Sequence, residues 1–217
     1  MDVTQIQSEN NSRPQTGVKK KVDVKFMTEL ALLTAVLLIM AYTPLGYFYI
    51  GVMPITLLVV PVAVGSVVLG AKAGAFLGFV FGLTSILQPT GITLLAIVPL
   101  QGLATAIIPR IFVGLVPAWA YKGLLKVVKK RSIATSVACL LAPITNTVLY
   151  LSFFVLCLGS YMAETNPDVY GFIANNNFFV NFGLVLASVG VNAVVEAFAC
   201  LVIAAAVCNA LIHTVNK

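Results

Sequence analysis

The apolar residues of this chain fall into long blocks that end at clusters of polar or turn-forming residues. A helix that crosses a bilayer needs about 20 apolar residues. Blocks of this kind predict spans at 26–44, 54–69, 71–88, 133–158 and 182–211. Residues 94–124 form a longer run, which we interpret as a span at 103–124 entered by a re-entrant or loop-like segment at 89–102. The pattern therefore predicts six transmembrane helices.

The composition favours a membrane protein over a soluble one. Of the 217 residues, 60% are hydrophobic and only 9% are charged, and the mean hydropathy is +1.03. A soluble domain carries about 25% charged residues, so this chain lacks the polar surface that a fold in water needs. We expect an all-α integral membrane protein, with a polar cytoplasmic tail at 1–25 and a six-helix membrane domain at 26–217.

The basic residues indicate how the six spans are oriented. Six spans would place these residues on one side of the membrane: Lys19, Lys20, Lys21, Lys25, Lys72, Lys122, Lys126, Lys129, Lys130, Arg131 and Lys217. The loops on the opposite side, 45–53, 89–102 and 159–181, contain neither Lys nor Arg. This positive-inside pattern predicts that both termini are cytoplasmic. It also accounts for the net charge of +6, so we expect no nucleic-acid partner.

The sequence offers little for catalysis or metal binding. All four cysteines, Cys139, Cys157, Cys200 and Cys208, fall in apolar runs without CxxC or CxxH spacing. We interpret them as small buried side chains, not as metal ligands or a disulfide framework. The sequence contains no GxxxxGK[ST] motif for ATP, and no Ser/His/Asp set or paired carboxylates are evident. We therefore expect no enzyme activity and no cofactor.

Small residues recur at helical spacing in two of the predicted spans. Gly74, Gly78 and Gly82 line one face of the span at 71–88, a pattern typical of closely packed membrane helices. Ala31 and Ala35 repeat the spacing in the first span. This second pair indicates either internal packing or a contact surface for a partner subunit in the membrane.

Arg110 lies inside an apolar segment, where a charge is normally paired or lines a wet cavity. Counting 1.5 Å per residue from the cytoplasmic ends of the spans places Arg110 about 21 Å deep, Glu196 about 22 Å and Asn146 about 20 Å. Three spans thus deliver polar groups to a similar depth.

Further polar residues lie near this level. Tyr150 and Asn192 are each one turn farther out, on the helix faces of Asn146 and Glu196. Gln101 lies in the loop-like segment before the fourth span.

These polar residues at a similar depth are called the polar level below. They have two possible interpretations, and both can hold at once. In the first, Arg110 and Glu196 form a buried ion pair that fixes the register of the helices. In the second, the polar residues line a pocket open to the outside, where Arg110 binds an anionic group and the amides bind hydroxyls or carbonyls.

Several motifs resemble a known family. The stretch Leu33–Leu87 resembles the substrate-binding S components of energy-coupling factor (ECF) vitamin transporters, and "GAKAGAFLGFVFGLTS" within it resembles their branch with pantothenate-specific members. Ala31 and Ala35 match the Ala-x-x-x-Ala motif of that family. "IPRIFVGLVPAWAYK" and "TNTVLY" resemble the branch with pantothenate-specific members, and the resemblance covers residues 26–211.

The resemblance implies a fold and a mode of action. Such proteins have six helices with both termini inside, bind a vitamin in the outer half through spans four to six, and cover it with the loop between spans one and two, here "LGYFYIGVM". They dock through their first helices onto a membrane coupling subunit, the T component, and two cytosolic ATPases supply the energy. Ala31 and Ala35 would be docking contacts, and the protein would reside in a bacterial plasma membrane.

The resemblance also suggests a ligand. Pantothenate carries a carboxylate that suits Arg110, and an amide and hydroxyls that suit Asn146, Tyr150 and Gln101. Glu196 counts against an anion unless it pairs with Arg110. Riboflavin, cobalamin or another vitamin remains open. Two other hypotheses are a stand-alone proton-coupled carrier that uses Arg110 and Glu196 as a relay, and a structural protein whose polar residues only fix packing.

Overall fold

Helices dominate the computed structural model, which describes residues 24–49, 54–128, 130–165, 168 and 177–215. In chain order they are α1 (Val24–Ala41), α2 (Val59–Val68), α3 (Ala71–Ile86), α4 (Pro89–Ile97), α5 (Pro99–Val127), α6 (Arg131–Thr165), α7 (Phe178–Ala199) and α8 (Ala205–Val215). A π-helical turn, Cys200–Ala204, joins α7 to α8. Two short strands lie between α1 and α2. Except for its last two residues, the predicted tail at 1–25 lies outside the described residues.

Four helical segments are long and apolar enough to cross a membrane. They are α1, α5, Arg131–Cys157 of α6, and the continuous stretch Phe178–Ile212. Helices α2 and α3 are also apolar but have only 10 and 16 residues, so they extend about 15 and 24 Å against a hydrocarbon core of about 30 Å. The chain is therefore an all-α, multi-pass membrane protein.

The predicted second span, 54–69, was wrong in its first part. Its beginning is strand β2 (Pro54–Thr56), which pairs antiparallel with β1 (Tyr47–Tyr49) so that Tyr47 lies opposite Thr56. The hairpin was missed because three-residue strands leave too short a pattern to distinguish from an apolar helix.

The segment at 89–102, predicted to be re-entrant or loop-like, is helical, so the loop-like alternative was wrong. It consists of α4 and the first turn of α5, with Val98 between the two helices. Each helix begins with a proline, whose missing N–H is not needed in the first turn. The predicted outer loop at 159–181 is shorter than expected, since α6 continues to Thr165 and α7 begins at Phe178.

The core of the membrane domain forms around α2. Most of its side chains are buried, among them Val59, Val62 and Val64, and it packs against α3, α5 and α6. A helix that is apolar on all sides suits a position enclosed by other helices. Its short length is thus compatible with a central place in the bundle.

The glycines of α3 face α5 and confirm the predicted close packing. A Cβ on Gly74 would meet the backbone oxygen of Gly114, and a Cβ on Gly78 would meet the backbone oxygen of Arg110. A Cβ on Gly82 would lie 3.1 Å from the backbone oxygen of Ala106. The missing side chains therefore allow the two backbones to touch, and this contact fixes the part of α5 that carries Arg110.

Candidate functional site

Arg110 is buried on α5, with 6% of its surface exposed. Its Nη1 donates a hydrogen bond of 2.8 Å to the backbone oxygen of Thr105. In a regular helix that oxygen would accept from the N–H of residue 109, but Pro109 has no N–H. The guanidinium of Arg110 thus replaces the donor that the proline removes, and this local pairing fixes its orientation.

Two aromatic rings lie beside the guanidinium. Its Cζ lies 4.2 Å from the ring centroid of Tyr150 on α6 and 5.5 Å from that of Phe81 on α3. Both distances fall within the range of cation–π attraction, which is strengthened when the cation is desolvated. The rings therefore stabilise the charge of Arg110 between α3 and α6 without supplying a counter-ion.

Three polar atoms at this level are buried without a hydrogen-bond partner. They are Nε of Arg110, Oγ1 of Thr105 and Oδ1 of Asn146. Among the described residues, no carboxylate oxygen lies within 4.0 Å of the Arg110 guanidinium. An unpaired buried polar group costs about 1–3 kcal/mol, and more when it is charged. The site therefore has unused capacity for hydrogen bonds to a ligand, including a charged donor.

Glu196 on α7 is buried too, but its partners are Thr56 and Asn146. Its Oε1 accepts from the backbone N–H of Thr56 at 2.7 Å and from the Thr56 hydroxyl at 2.9 Å. Its Oε2 accepts from Nδ2 of Asn146 at 3.4 Å. The direct ion pair between Arg110 and Glu196 is not formed, because each side chain is oriented by other groups.

The remaining predicted site residues take different positions. Asn192 is buried on α7, one turn before Glu196. Both belong to one buried face of α7: Asn181, Val185, Val189, Asn192 and Glu196. Gln101 was predicted in a loop-like segment, but it lies exposed in the first turn of α5, about 14 Å along the axis from Arg110. The structure thus brings four helices and the hairpin to the polar level and leaves Gln101 at its edge.

Sequence reasoning missed Thr105, Phe81 and Thr56. Thr105 could have been found, because it precedes Pro109 by four residues and its backbone oxygen must therefore lose its helical partner. Phe81 and Thr56 carry no local signal. Their contacts with Arg110 and Glu196 depend on how α3 and the hairpin pack against α5 and α7.

A concavity lies beside strand β1 of the hairpin. It has a volume of about 420 Å³ and opens between the end of α1, strand β1 and the end of α3. Its lining consists of Ala41, Tyr42, Thr43, Pro44, Tyr47, Leu87 and Gln88. None of the predicted site residues contributes to it, so it is distinct from the polar level around Arg110.

Comparison with known proteins places the chain in a family. Residues 25–208 match the family model described as the substrate-specific component of ECF transporters. The chain is 33% identical over 169 residues to the pantothenic acid transporter PanT of Lactococcus lactis subsp. cremoris, covering 69% of this chain and 84% of that protein. It is 30% identical over 205 residues to the pantothenate transporter PanT of Leuconostoc mesenteroides subsp. mesenteroides, covering 92% and 95%. The chain therefore belongs to the family of substrate-specific components of ECF transporters.

Proposed function

We propose that this chain is the S component that captures pantothenate for an ECF importer of a bacterial plasma membrane. The observation that carries the proposal is Arg110, a buried guanidinium with an unpaired Nε and no carboxylate within 4.0 Å among the described residues. A buried charge of this kind fits an anionic ligand. Glu196 does not pair with Arg110, but donors from Thr56 and Asn146 already occupy its carboxylate, which reduces its conflict with a bound anion. Two relatives named as pantothenate transporters support the choice of anion.

The ligand chemistry matches the polar atoms of the site. Pantothenate carries one carboxylate, one amide and two hydroxyls. Arg110 would bind the carboxylate through charge-assisted hydrogen bonds. Of the remaining predicted binding residues, Asn146, Tyr150, Gln101 and Asn192 would surround the amide and the hydroxyls, while Glu196 would lie behind Asn146, to which it is hydrogen-bonded. Thr105 adds an unpaired hydroxyl next to Arg110.

The proposal includes six spans with cytoplasmic termini and a pocket open to the outside. In this topology α2 and α3 form the second and third spans, together with the segments that flank them. A membrane coupling subunit and two cytosolic ATPases would drive the release of the vitamin inside the cell. The positive charge on the predicted inner loops supports the orientation, and family membership supports the partners.

Helix α1 offers the surface for docking the coupling subunit. Ala31 and Ala35 are both exposed, and only 11% of α1 is buried, compared with 39% of the most apolar stretch of each of the other three candidate spans. Small side chains at helical spacing let a second helix approach closely. The proposed docking face is therefore the face of α1 that contains these two alanines.

Replacing Ala31 or Ala35 by Trp is expected to reduce pantothenate uptake by cells at least about 10-fold without changing the affinity of the isolated chain. A bulky ring would hold the partner helix away, while the ligand site lies on other helices. Val36→Trp is the matched control, because Val36 is exposed elsewhere on α1. Equal uptake by Ala35→Trp and Val36→Trp would contradict docking through this face.

The ligand assignment is tested by native mass spectrometry of the purified chain with a panel containing pantothenate, riboflavin and cobalamin. We expect one retained adduct with the mass of pantothenate. An adduct with another vitamin would keep the S-component function and replace the ligand. The lack of any adduct on a folded sample would contradict the proposal.

A further inference from the structure

We infer that Glu196 does not contact the ligand but orients Asn146, so that Asn146 presents a hydrogen-bond acceptor to it. The inference rests on the proposed pantothenate site. It adds that one subsite of this site offers the ligand a hydrogen-bond acceptor and not a donor. Glu196 is thus a positioning residue, and the ligand group that meets Asn146 has to be a donor.

The first step is that the hairpin fixes the Glu196 carboxylate. Its Oε1 accepts two hydrogen bonds from Thr56, one from the backbone and one from the hydroxyl. Both residues are buried, with exposed fractions of 5% for Glu196 and 6% for Thr56. Two donors on one oxygen leave the other oxygen, Oε2, directed at Asn146.

The second step is that the carboxylate determines which end of the Asn146 amide faces it. Oε2 of Glu196 acts as an acceptor here, whereas an amide side chain has both a donor and an acceptor end. Asn146 therefore turns its Nδ2 towards Glu196, at 3.4 Å. Its Oδ1 points away from Glu196 and stays buried without a hydrogen-bond partner.

The third step concerns the ligand. Tyr150 follows Asn146 by one helical turn on α6, and its ring lies against Arg110. The acceptor Oδ1 of Asn146 and the donor Nε of Arg110 therefore belong to neighbouring subsites. A ligand that fills both has a carboxylate at one point and a hydroxyl or amide N–H about one helical turn away. Pantothenate offers both kinds of group.

The test is a double-mutant cycle on pantothenate affinity, measured by calorimetry on the full chain in detergent. Glu196→Gln is nearly isosteric, but glutamine can donate as well as accept, so Asn146 loses its imposed orientation. We expect this change to weaken binding about 10-fold in the wild-type background and less than about 2-fold in the Asn146→Ala background. A residue that is merely structural would not show this dependence on Asn146.

Equal losses in both backgrounds, or no loss in either, would overturn the inference, since Glu196 would then contact the ligand directly or have no effect on it. The unmodified chain is measured first. Absence of pantothenate binding there would contradict the proposed function, whereas equal losses would contradict only the role of Glu196.

If the Asn146→Ala chain does not fold, the double-mutant cycle is replaced by a second measurement on the wild-type and Glu196→Gln chains. Pantothenate is compared with analogues in which each hydroxyl is replaced by fluorine or the amide nitrogen is methylated, so that one donor at a time is removed. We expect the wild-type chain to discriminate against one of these analogues at least 10-fold, and Glu196→Gln to discriminate less than about 3-fold at the same position. Undiminished discrimination in Glu196→Gln would overturn the inference.

Discussion

Arg110→Ala is expected to lower the affinity for pantothenate at least about 100-fold while the chain still folds. Hydrogen bonds to charged groups contribute about 1.5–3 kcal/mol each, and 2.8 kcal/mol corresponds to 100-fold. The fold should persist because Glu196 keeps its bonds to Thr56 and Asn146 when Arg110 is removed. The loss is measured by calorimetry with pantothenate, and folding by thermal denaturation of the same sample.

Two further variants sharpen this prediction. Arg110→Lys keeps the charge but loses Nε and the planar fork, so we expect an intermediate loss of about 10-fold. Arg131→Ala removes an exposed arginine at the start of α6 and should leave binding unchanged. Wild-type affinity in Arg110→Ala would remove this residue from the binding site. Unfolding as the main effect would instead favour a purely structural role.

The long helices and the glycine contact could be predicted because both depend on local features of the sequence. A run of apolar residues is enough to identify α1, α5, α6 and α7, since a membrane span requires length and hydropathy and little else. The spacing of Gly74 and Gly78 likewise determines that they share one helix face. Neither inference needed knowledge of which helices are neighbours.

The side-chain partners at the polar level could not be predicted in the same way. Counting residues placed Arg110 and Glu196 at a similar depth, but depth does not tell how each helix is rotated about its axis. The structure directs Glu196 towards Thr56 of the hairpin, which the hydropathy pattern had assigned to a helix. Arg110 is directed to the Thr105 oxygen, a consequence of Pro109 in the same helix. Only this second contact had a signal in the sequence.

Gly114→Ala is expected to destabilise the protein by about 3 kcal/mol, because its Cβ would meet the backbone of α3. The nearest atom is the backbone oxygen of Gly74, which cannot move aside like the end of a flexible side chain. The helices would have to separate, and Gly78 would then lose its contact with the backbone of Arg110 one turn away. We therefore expect lower thermal stability in detergent together with weaker pantothenate binding.

Gly123→Ala is the matched control, since it adds the same methyl group to the same helix. A Cβ on Gly123 would meet no atom of the described residues within 4 Å. Alanine also favours a helix over glycine by about 1 kcal/mol, so this variant should be as stable as the wild type or more stable. Opposite signs for the two substitutions would show that contact with α3, and not helix propensity, decides the effect. Equal stability of both variants would instead mean that α3 and α5 do not touch at Gly114, and the positioning of Arg110 by the Gly78 contact would fail with it.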